Sequence, residues 1–198
     1  MARPTSMLIL AVAQALSLYL LHRAIEAGVW PATQRAVLVA LYLLVVFLPL
    51  TTQLLAKHLR ERRLWWALSA LGVALVLFGW HFAVNVAAGE GSRALVESWA
   101  PASAFVLLVL WLIAIAFLRA QLESRSSIPS YHALFAAAWR NTLTLIEAAI
   151  FAGVFWLLLW LWAALFETLD IHFFREVFRS AWFIYAASAM VIGLALYW

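Results

Sequence analysis

Cysteine is absent from this chain of 198 residues, and its absence excludes several kinds of chemistry. Without thiols the protein cannot form a disulfide, carry a thiolate nucleophile, or hold zinc or an iron–sulfur cluster through cysteine. Charged residues are also scarce, at 11% of the chain against about a quarter in soluble domains. A surface made from so few charges could not be hydrated in water, which argues against a soluble enzyme.

Apolar sequence takes the place of the missing charge. Hydrophobic residues make up 68% of the chain, the mean hydropathy is +0.99, and no alternating strand pattern is present. About 20 residues of helix cross the hydrocarbon core of a bilayer. We therefore predict an all-α, polytopic transmembrane helix bundle, a single domain over residues 1–198, with about six spans at residues 5–21, 36–56, 64–88, 99–118, 142–165 and 181–198.

The first span has a competing interpretation as a signal peptide, because Arg3 precedes its apolar stretch. A signal peptide ends in a small-residue cleavage site, and no convincing one follows Leu21. A retained helix that stops at His22 and Arg23 is the favoured interpretation.

Lysine and arginine are distributed unequally between the two sides of the predicted bundle. Eight lie on the side of the N-terminus and five on the other, and such residues favour the cytoplasmic side. We therefore predict a cytoplasmic N-terminus, with a topology-setting basic loop formed by Lys57, Arg60, Arg62 and Arg63. The bases are too dispersed to form a nucleic-acid-binding stripe, so we expect membrane lipids and no nucleic acid as partners.

Tryptophan supports the same arrangement, because its indole ring prefers the level of the lipid headgroups. Trp111 and Trp156 fall nearer the middle of their spans, where we expect them to pack between helices. The tryptophans expected at the inner interface are Trp65, Trp66 and Trp139. Those expected at the outer interface are Trp30, Trp80, Trp99, Trp160, Trp162 and Trp182.

Two connections are longer than turns. Residues 124–129 form a helix breaker, and residues 131–139 are predicted to form a short surface helix before the fifth span. Residues 170–179 place Ile171, Phe174 and Phe178 at helical spacing opposite charged residues. This pattern is typical of an amphipathic helix lying on the outer interface, and a plain loop is the alternative.

Three polar residues within spans form the candidate intramembrane polar site: Glu147, His81 and Asn85. An ionisable side chain in hydrocarbon is costly, so such positions are the first place to look for function. Glu147 could relay a proton or cation, or it could pair with Arg140 or reach the interface. His81 and Asn85, four residues apart on one helix face, could bind a polar ligand or bridge helices by hydrogen bonds.

The sequence contains no convincing catalytic or metal-binding pattern. Gly89 to Ser92 matches neither a phosphate-binding loop nor a nucleophile elbow, and three dispersed histidines do not form a zinc motif. We therefore expect no catalytic residues, no metal and no cofactor. The pairs Ala149/Gly153 and Ala189/Gly193 have the small-residue spacing that permits close contact between membrane helices.

Several segments resemble bacterial membrane proteins of the domain-of-unknown-function family 4153. They are residues 138–141 (AWRN), 155–166 (FWLLLWLWAALF) and 171–176 (IHFFRE), with 29–33 (VWPAT) and 49–56 (PLTTQLLA). The resemblance implies an inner-membrane protein of uncharacterised biochemistry and supplies no catalytic residues. Because members of that family are usually longer, it also implies that this chain is the N-terminal part of a larger membrane protein.

Three functions remain open from the sequence. The first is a non-enzymatic structural or accessory protein of the bacterial inner membrane, which contacts lipids and additional transmembrane helices of its own or another chain. The second is a transporter or lipid-handling protein with a polar pathway. The third, an enzyme acting on a lipid-linked substrate, needs converging acids, bases or metal ligands that the sequence does not offer.

Overall fold

The fold is entirely helical where the structure, a computed structural model, describes it: residues 4–88, 93–126, 128–170 and 172–196. This part contains seven α-helices and no strand, together with a short 3-10 helix at Ala56–His58. The prediction of an all-α bundle is confirmed. The helices are α1 (Pro4–Ala27), α2 (Arg35–Leu54), α3 (Arg62–Ala88), α4 (Arg93–Ser124), α5 (Tyr131–Glu167), α6 (Phe173–Arg179) and α7 (Ala181–Ala195).

Helices α1 to α5 are each long and apolar enough to cross a membrane. Helices α6 and α7 meet at a bend of 70° and add a sixth span if the pair is counted as one. Large apolar side chains are exposed along all of these helices, and a bilayer is the solvent in which such a surface is stable. The protein is therefore a multi-pass membrane protein.

Helices α1 to α5 and α7 form a closed ring in which each helix contacts its two neighbours, with α7 between α5 and α1. Leu54, Trp111 and Ile115 form a central apolar cluster in which α2 and α4 meet. We call the end of the ring that carries the α2–α3 and α4–α5 connections the basic end. Its exposed cations are Lys57, Arg60, Arg62, Arg63, Arg125 and Arg140.

Helix α1 is longer than predicted, because charged residues end an apolar segment without ending a helix. It continues through His22 and Arg23 to Ala27. Gly28 then takes a left-handed conformation (φ +64°), and two backbone hydrogen bonds close the end, from Gly28 N to Ile25 O and from Val29 N to Ala24 O. This is the Schellman ending that glycine favours.

The separate surface helix predicted at residues 131–139 is wrong, because these residues are the first turns of α5. Ser130 caps the helix by accepting a hydrogen bond from the backbone N of Ala133, and no glycine or proline interrupts the sequence before Gly153. Helix α4 likewise continues past the predicted end of its span to Ser124. The predicted breaker at residues 124–129 is confirmed, since the connection between the two helices is residues 125–130.

Of the two small-residue pairs predicted to allow close helix contact, only one makes such a contact in the described chain. A methyl group on Gly193 would lie 2.9 Å from the Cβ of Ala11, so α7 and α1 approach closely there, as predicted. Gly79 brings α3 equally close to α2, with the Cα of Ala40 at 2.8 Å from the same hypothetical methyl. Gly153 has no neighbouring atom within 4 Å of that position, so the Ala149/Gly153 pair makes no such contact within the described chain.

Candidate functional site

Four buried polar or charged side chains are found in the part of the chain whose side chains the structure describes: Thr51, Gln53, Arg119 and Asn141. We call them the buried polar cluster. Thr51 and Gln53 lie in the last turn of α2, Arg119 lies near the end of α4, and Asn141 lies in the third turn of α5. All four are therefore at the basic end of the bundle.

Arg119 links three helices. Its guanidinium donates hydrogen bonds to the side-chain oxygen of Asn141 on α5 and, over 3.2 Å, to the backbone oxygen of Leu54 on α2. Leu54 is the last residue of α2, so its carbonyl has no partner within the helix. A cation at the carboxyl end of a helix also interacts favourably with the helix dipole. Arg119 thus closes the end of α2 and attaches it to α4 and α5.

Thr51 forms a second link between α2 and α4. Its hydroxyl donates to the backbone oxygen of Phe47 over 2.7 Å and accepts from the indole Nε1 of Trp111 over 2.9 Å. The Thr51 hydroxyl and the Trp111 indole N–H are therefore both hydrogen-bonded inside the bundle. Trp156 donates similarly to Ser188 of α7, so the packing roles predicted for the two mid-span tryptophans are confirmed.

Gln53 differs from its neighbours because its amide is buried without a partner. The side chain is only 3% exposed, and neither its Oε1 nor its Nε2 has a hydrogen-bond partner among the described residues. The Nε2 atom approaches Gly193 of α7, so the amide lies where α2 meets the α1–α7 crossing. The Nδ2 atom of Asn141 also has no hydrogen-bond partner in the described part of the chain.

The exposed edge of the buried polar cluster carries charges of both signs. Glu123 lies between two arginines: its Oε1 is 3.5 Å from the Nε of Arg119 and 3.1 Å from the Nη1 of Arg140. Two guanidinium groups and one carboxylate leave a formal charge of +1. The arrangement favours an anion or a neutral polar group over a cation.

The residues of the candidate intramembrane polar site do not join this cluster. Glu147 is exposed on α5, and no described residue forms an ion pair or hydrogen bond with it. Arg140, its proposed partner, pairs with Glu123 instead. His81 and Asn85 are exposed on α3 and bond to each other, with 3.0 Å between Asn85 Nδ2 and His81 Nε2. Asn85 Nδ2 also donates to the His81 carbonyl.

The predicted basic loop is present as a cluster of exposed cations in the α2–α3 connection and the first turn of α3. Lys57, Arg60, Arg62 and Arg63 are all exposed, and none forms an ion pair with another described residue. The acid among them, Glu61, lies 2.7 Å from His58 Nδ1. Trp65 and Trp66 follow, both more than half exposed.

The helix predicted within residues 170–179 is present as α6, and its aromatic side packs on the protein itself. Phe174 stacks on Phe166 of α5 with ring centroids 4.4 Å apart, and Phe178 contacts Phe183 of α7. Arg175 pairs with Glu167 at the end of α5. The third residue of the predicted apolar face, Ile171, lies outside the described residues.

Arg119 and Asn141 were not recognised from the sequence, although a signal was available. Arg119 follows Trp111 and Ile115 at intervals of four, so it continues the stripe of α4 that faces the interior. The sequence interpretation instead treated Arg119 as a charge that ends a span. Among the described residues, no group of three histidines and acids is arranged to hold a metal ion.

A scan against protein-family models and searches of curated proteins and of solved structures found no match to the chain. The resemblance to the domain-of-unknown-function family 4153 stays a prediction.

Proposed function

We propose that this protein is a structural or accessory, non-enzymatic component of the bacterial inner membrane. The observation that carries the proposal is the use of the buried polar cluster for joining helices. Arg119 binds Asn141 and the end of α2, and Thr51 binds Trp111. Polar groups in a membrane bundle used in this way hold the helices in register.

The exposed faces of the bundle are the second support. In the most apolar stretch of α5 only 6% of the residues are buried, against 22% in the corresponding stretches of α1 to α4. Phe151, Leu157 and Trp162 are among its exposed residues. Such a helix presents its surface to lipid or to further transmembrane helices. The proposal therefore includes lipids and additional helices, of this or another chain, as partners.

The orientation belongs to the same proposal. The unpaired cations of the basic loop and the tryptophans beside them are the pattern found at a cytoplasmic interface. The basic end, and with it the N-terminus, would then face the cytoplasm.

The proposal is tested by removing the links while measuring thermal unfolding of the full chain in detergent. Arg119→Gln and Asn141→Ala are each expected to lower Tm by about 2–8 °C, since interhelical hydrogen bonds in membrane proteins contribute about 1–2 kcal/mol and 1 kcal/mol shifts Tm by about 2–4 °C at this size. Arg35→Gln, which removes an exposed arginine at the opposite end, is the control and should leave Tm unchanged. If Tm is unchanged in both Arg119→Gln and Asn141→Ala, the structural role of the buried polar cluster is contradicted.

A transporter or lipid-handling protein is the second candidate, and the buried unpartnered amide of Gln53 favours it. An amide without a protein partner is a feature of a polar pathway between helices. The test is proton flux into liposomes that contain the purified protein and a trapped pH-sensitive dye. Flux above that of empty liposomes, abolished by Gln53→Met, would replace the structural proposal; flux equal to the background removes the proton-pathway version of this candidate.

A further inference from the structure

We propose that the protein binds one anionic phospholipid at the basic end, with an acyl chain in a groove between α2 and α3 and the headgroup on the basic loop. This goes beyond the proposed structural role and can fail without affecting it. The groove has a volume of 580 Å³ and is lined by Leu10 of α1 and by residues of α2 and α3 that include Leu44, Leu48, Trp65, Ser69 and Val76.

The lining of the groove suits hydrocarbon. The hydroxyls of Thr52 and Ser69 donate to the carbonyls of Leu48 and Trp65 in their own helices, at 2.8 and 2.9 Å. Their hydroxyl protons are therefore already engaged in hydrogen bonds and cannot bind a ligand. The remaining lining is almost wholly apolar, and a polar solute would find little there to replace its lost hydration.

The dimensions of the groove also match a lipid tail. From Trp65 to Leu77 the lining of α3 extends over twelve residue steps, which is about 18 Å along a helix. One leaflet of the hydrocarbon core is about 15 Å thick. Gly72 contributes to the space because a Cβ at this position would already touch Leu44 and Leu48 at 3.6 and 3.7 Å. A larger side chain would enter the groove.

The charge at the mouth of the groove selects the headgroup. Arg62 precedes Trp65 by three residues and Ser69 by seven, so all three lie on one face of α3. Lys57, Arg60 and Arg63 are close by in sequence. Four cations against the single acid of this loop, Glu61, give a net charge of +3. Arginine binds phosphate through paired hydrogen bonds, and basic clusters at a membrane surface attract anionic lipids.

Trp65 connects the headgroup region to the groove. Its ring lines the groove, and its Nε1 donates to the backbone oxygen of Leu59 in the basic loop over 3.0 Å. The indole is therefore fixed between the cations and the apolar lining. A single amphipathic ligand can contact both sides of it.

A second apolar pocket differs from the proposed site in lacking unpaired cations among the described residues that line it. The pocket between α1 and α2 at the opposite end has a volume of 630 Å³ and is also apolar, with Arg23 and Trp30 at its edge. Arg23, however, pairs with Glu26 over 3.1 Å. Its charge is compensated within the chain, and we expect no preference for anionic lipid there.

The test is native mass spectrometry of the full chain in detergent, titrated with phosphatidylglycerol and with phosphatidylcholine that carries the same acyl chains. We expect one phosphatidylglycerol to bind at least tenfold more tightly than phosphatidylcholine. The double change Arg60→Gln with Arg62→Gln should weaken its binding about thirtyfold, because each basic residue at a membrane surface strengthens anionic-lipid binding about fivefold. Arg23→Gln, at the other pocket, should have no effect.

Gly72→Leu tests the acyl-chain part of the site, because it fills the groove and leaves every cation in place. It should weaken phosphatidylglycerol binding at least tenfold, whereas Gly153→Leu, in open space on α5, should not. Inorganic phosphate should fail to displace the lipid, since it lacks the tail. Equal affinity for the two lipids, or unchanged binding in the double arginine variant, overturns the proposal even if Gly72→Leu does not fold. Displacement by phosphate would show an anion site without a lipid groove.

Discussion

At the residue scale, the guanidinium of Arg119 is tolerated inside the bundle because acceptors reach it from two other helices. An unpaired charge in an apolar interior is strongly destabilising. Asn141 supplies a side-chain oxygen, and the last carbonyl of α2 supplies a group that would otherwise lack a partner. Arginine satisfies both because its donors lie in a rigid plane at different angles. The same residue therefore ends one helix and fixes the position of two others.

Gln53 and Thr51 provide a prediction about two buried polar side chains in the same turn of α2. Gln53→Met removes an amide that has no partner among the described residues, keeps the length of the side chain, and should raise Tm by about 2–12 °C, since an unsatisfied buried polar group costs about 1–3 kcal/mol and 1 kcal/mol shifts Tm by about 2–4 °C. Thr51→Val removes the acceptor of Trp111 and should lower Tm by a similar amount. Thermal unfolding in detergent measures both. If Tm falls in both variants, the Gln53 amide has a hydrogen-bond partner outside the described residues, such as water or a ligand, and does contribute to stability.

At the scale of the helices, the sequence predicts which segments span the membrane more accurately than where each helix ends. Hydropathy depends on the average of many residues, so the five long apolar helices were all predicted, and the sixth predicted span is present if α6 and α7 are counted as one. Helix ends depend on single residues. Gly28 ends α1 six residues beyond the predicted stop, and Ser130 begins α5 eleven residues before the apolar segment used to predict it. Charged residues near an interface are compatible with a continuing helix, because their long side chains reach water.

The close contact between α2 and α3 at Gly79 gives a prediction about helix packing. Gly79→Ala places a methyl group 2.8 Å from the Cα of Ala40, and the helices must separate to admit it. We expect a lower Tm, by about 2–12 °C, since overpacking costs about 1–3 kcal/mol and 1 kcal/mol shifts Tm by about 2–4 °C.

Gly153→Ala is the matched control for that change. It adds the same methyl group to a helical glycine with open space around it, and alanine is the better helix former. Tm should stay constant or rise. A fall equal to that of Gly79→Ala would mean that Gly153 is covered by another helix, as in a dimer, and the oligomeric state in detergent would then differ between this variant and the wild type.

At the scale of the whole molecule, the ring explains why the candidate site was only partly predictable. Gln53 in the last turn of α2 lies beside Gly193 of α7, 140 residues later in the chain. Such a contact depends on which helices are adjacent in the ring. Local periodicity shows which face of a helix is buried, and it does not show what that face meets. The exposed polar residues Glu147, His81 and Asn85 attracted attention because polarity in a span is visible locally.

The orientation of the whole ring is the last prediction, and the absence of cysteine makes it accessible to experiment. His132→Cys at the start of α5 and Thr33→Cys before α2 place single exposed thiols at opposite ends without changing the number of lysines or arginines that set topology. In intact bacterial cells a membrane-impermeant maleimide should label Thr33→Cys and leave His132→Cys unlabelled. Opening the cells should make both reactive, which controls for buried or unfolded thiols. Labelling of His132→Cys alone in intact cells would place the basic end outside, and a cytoplasmic N-terminus would then be excluded.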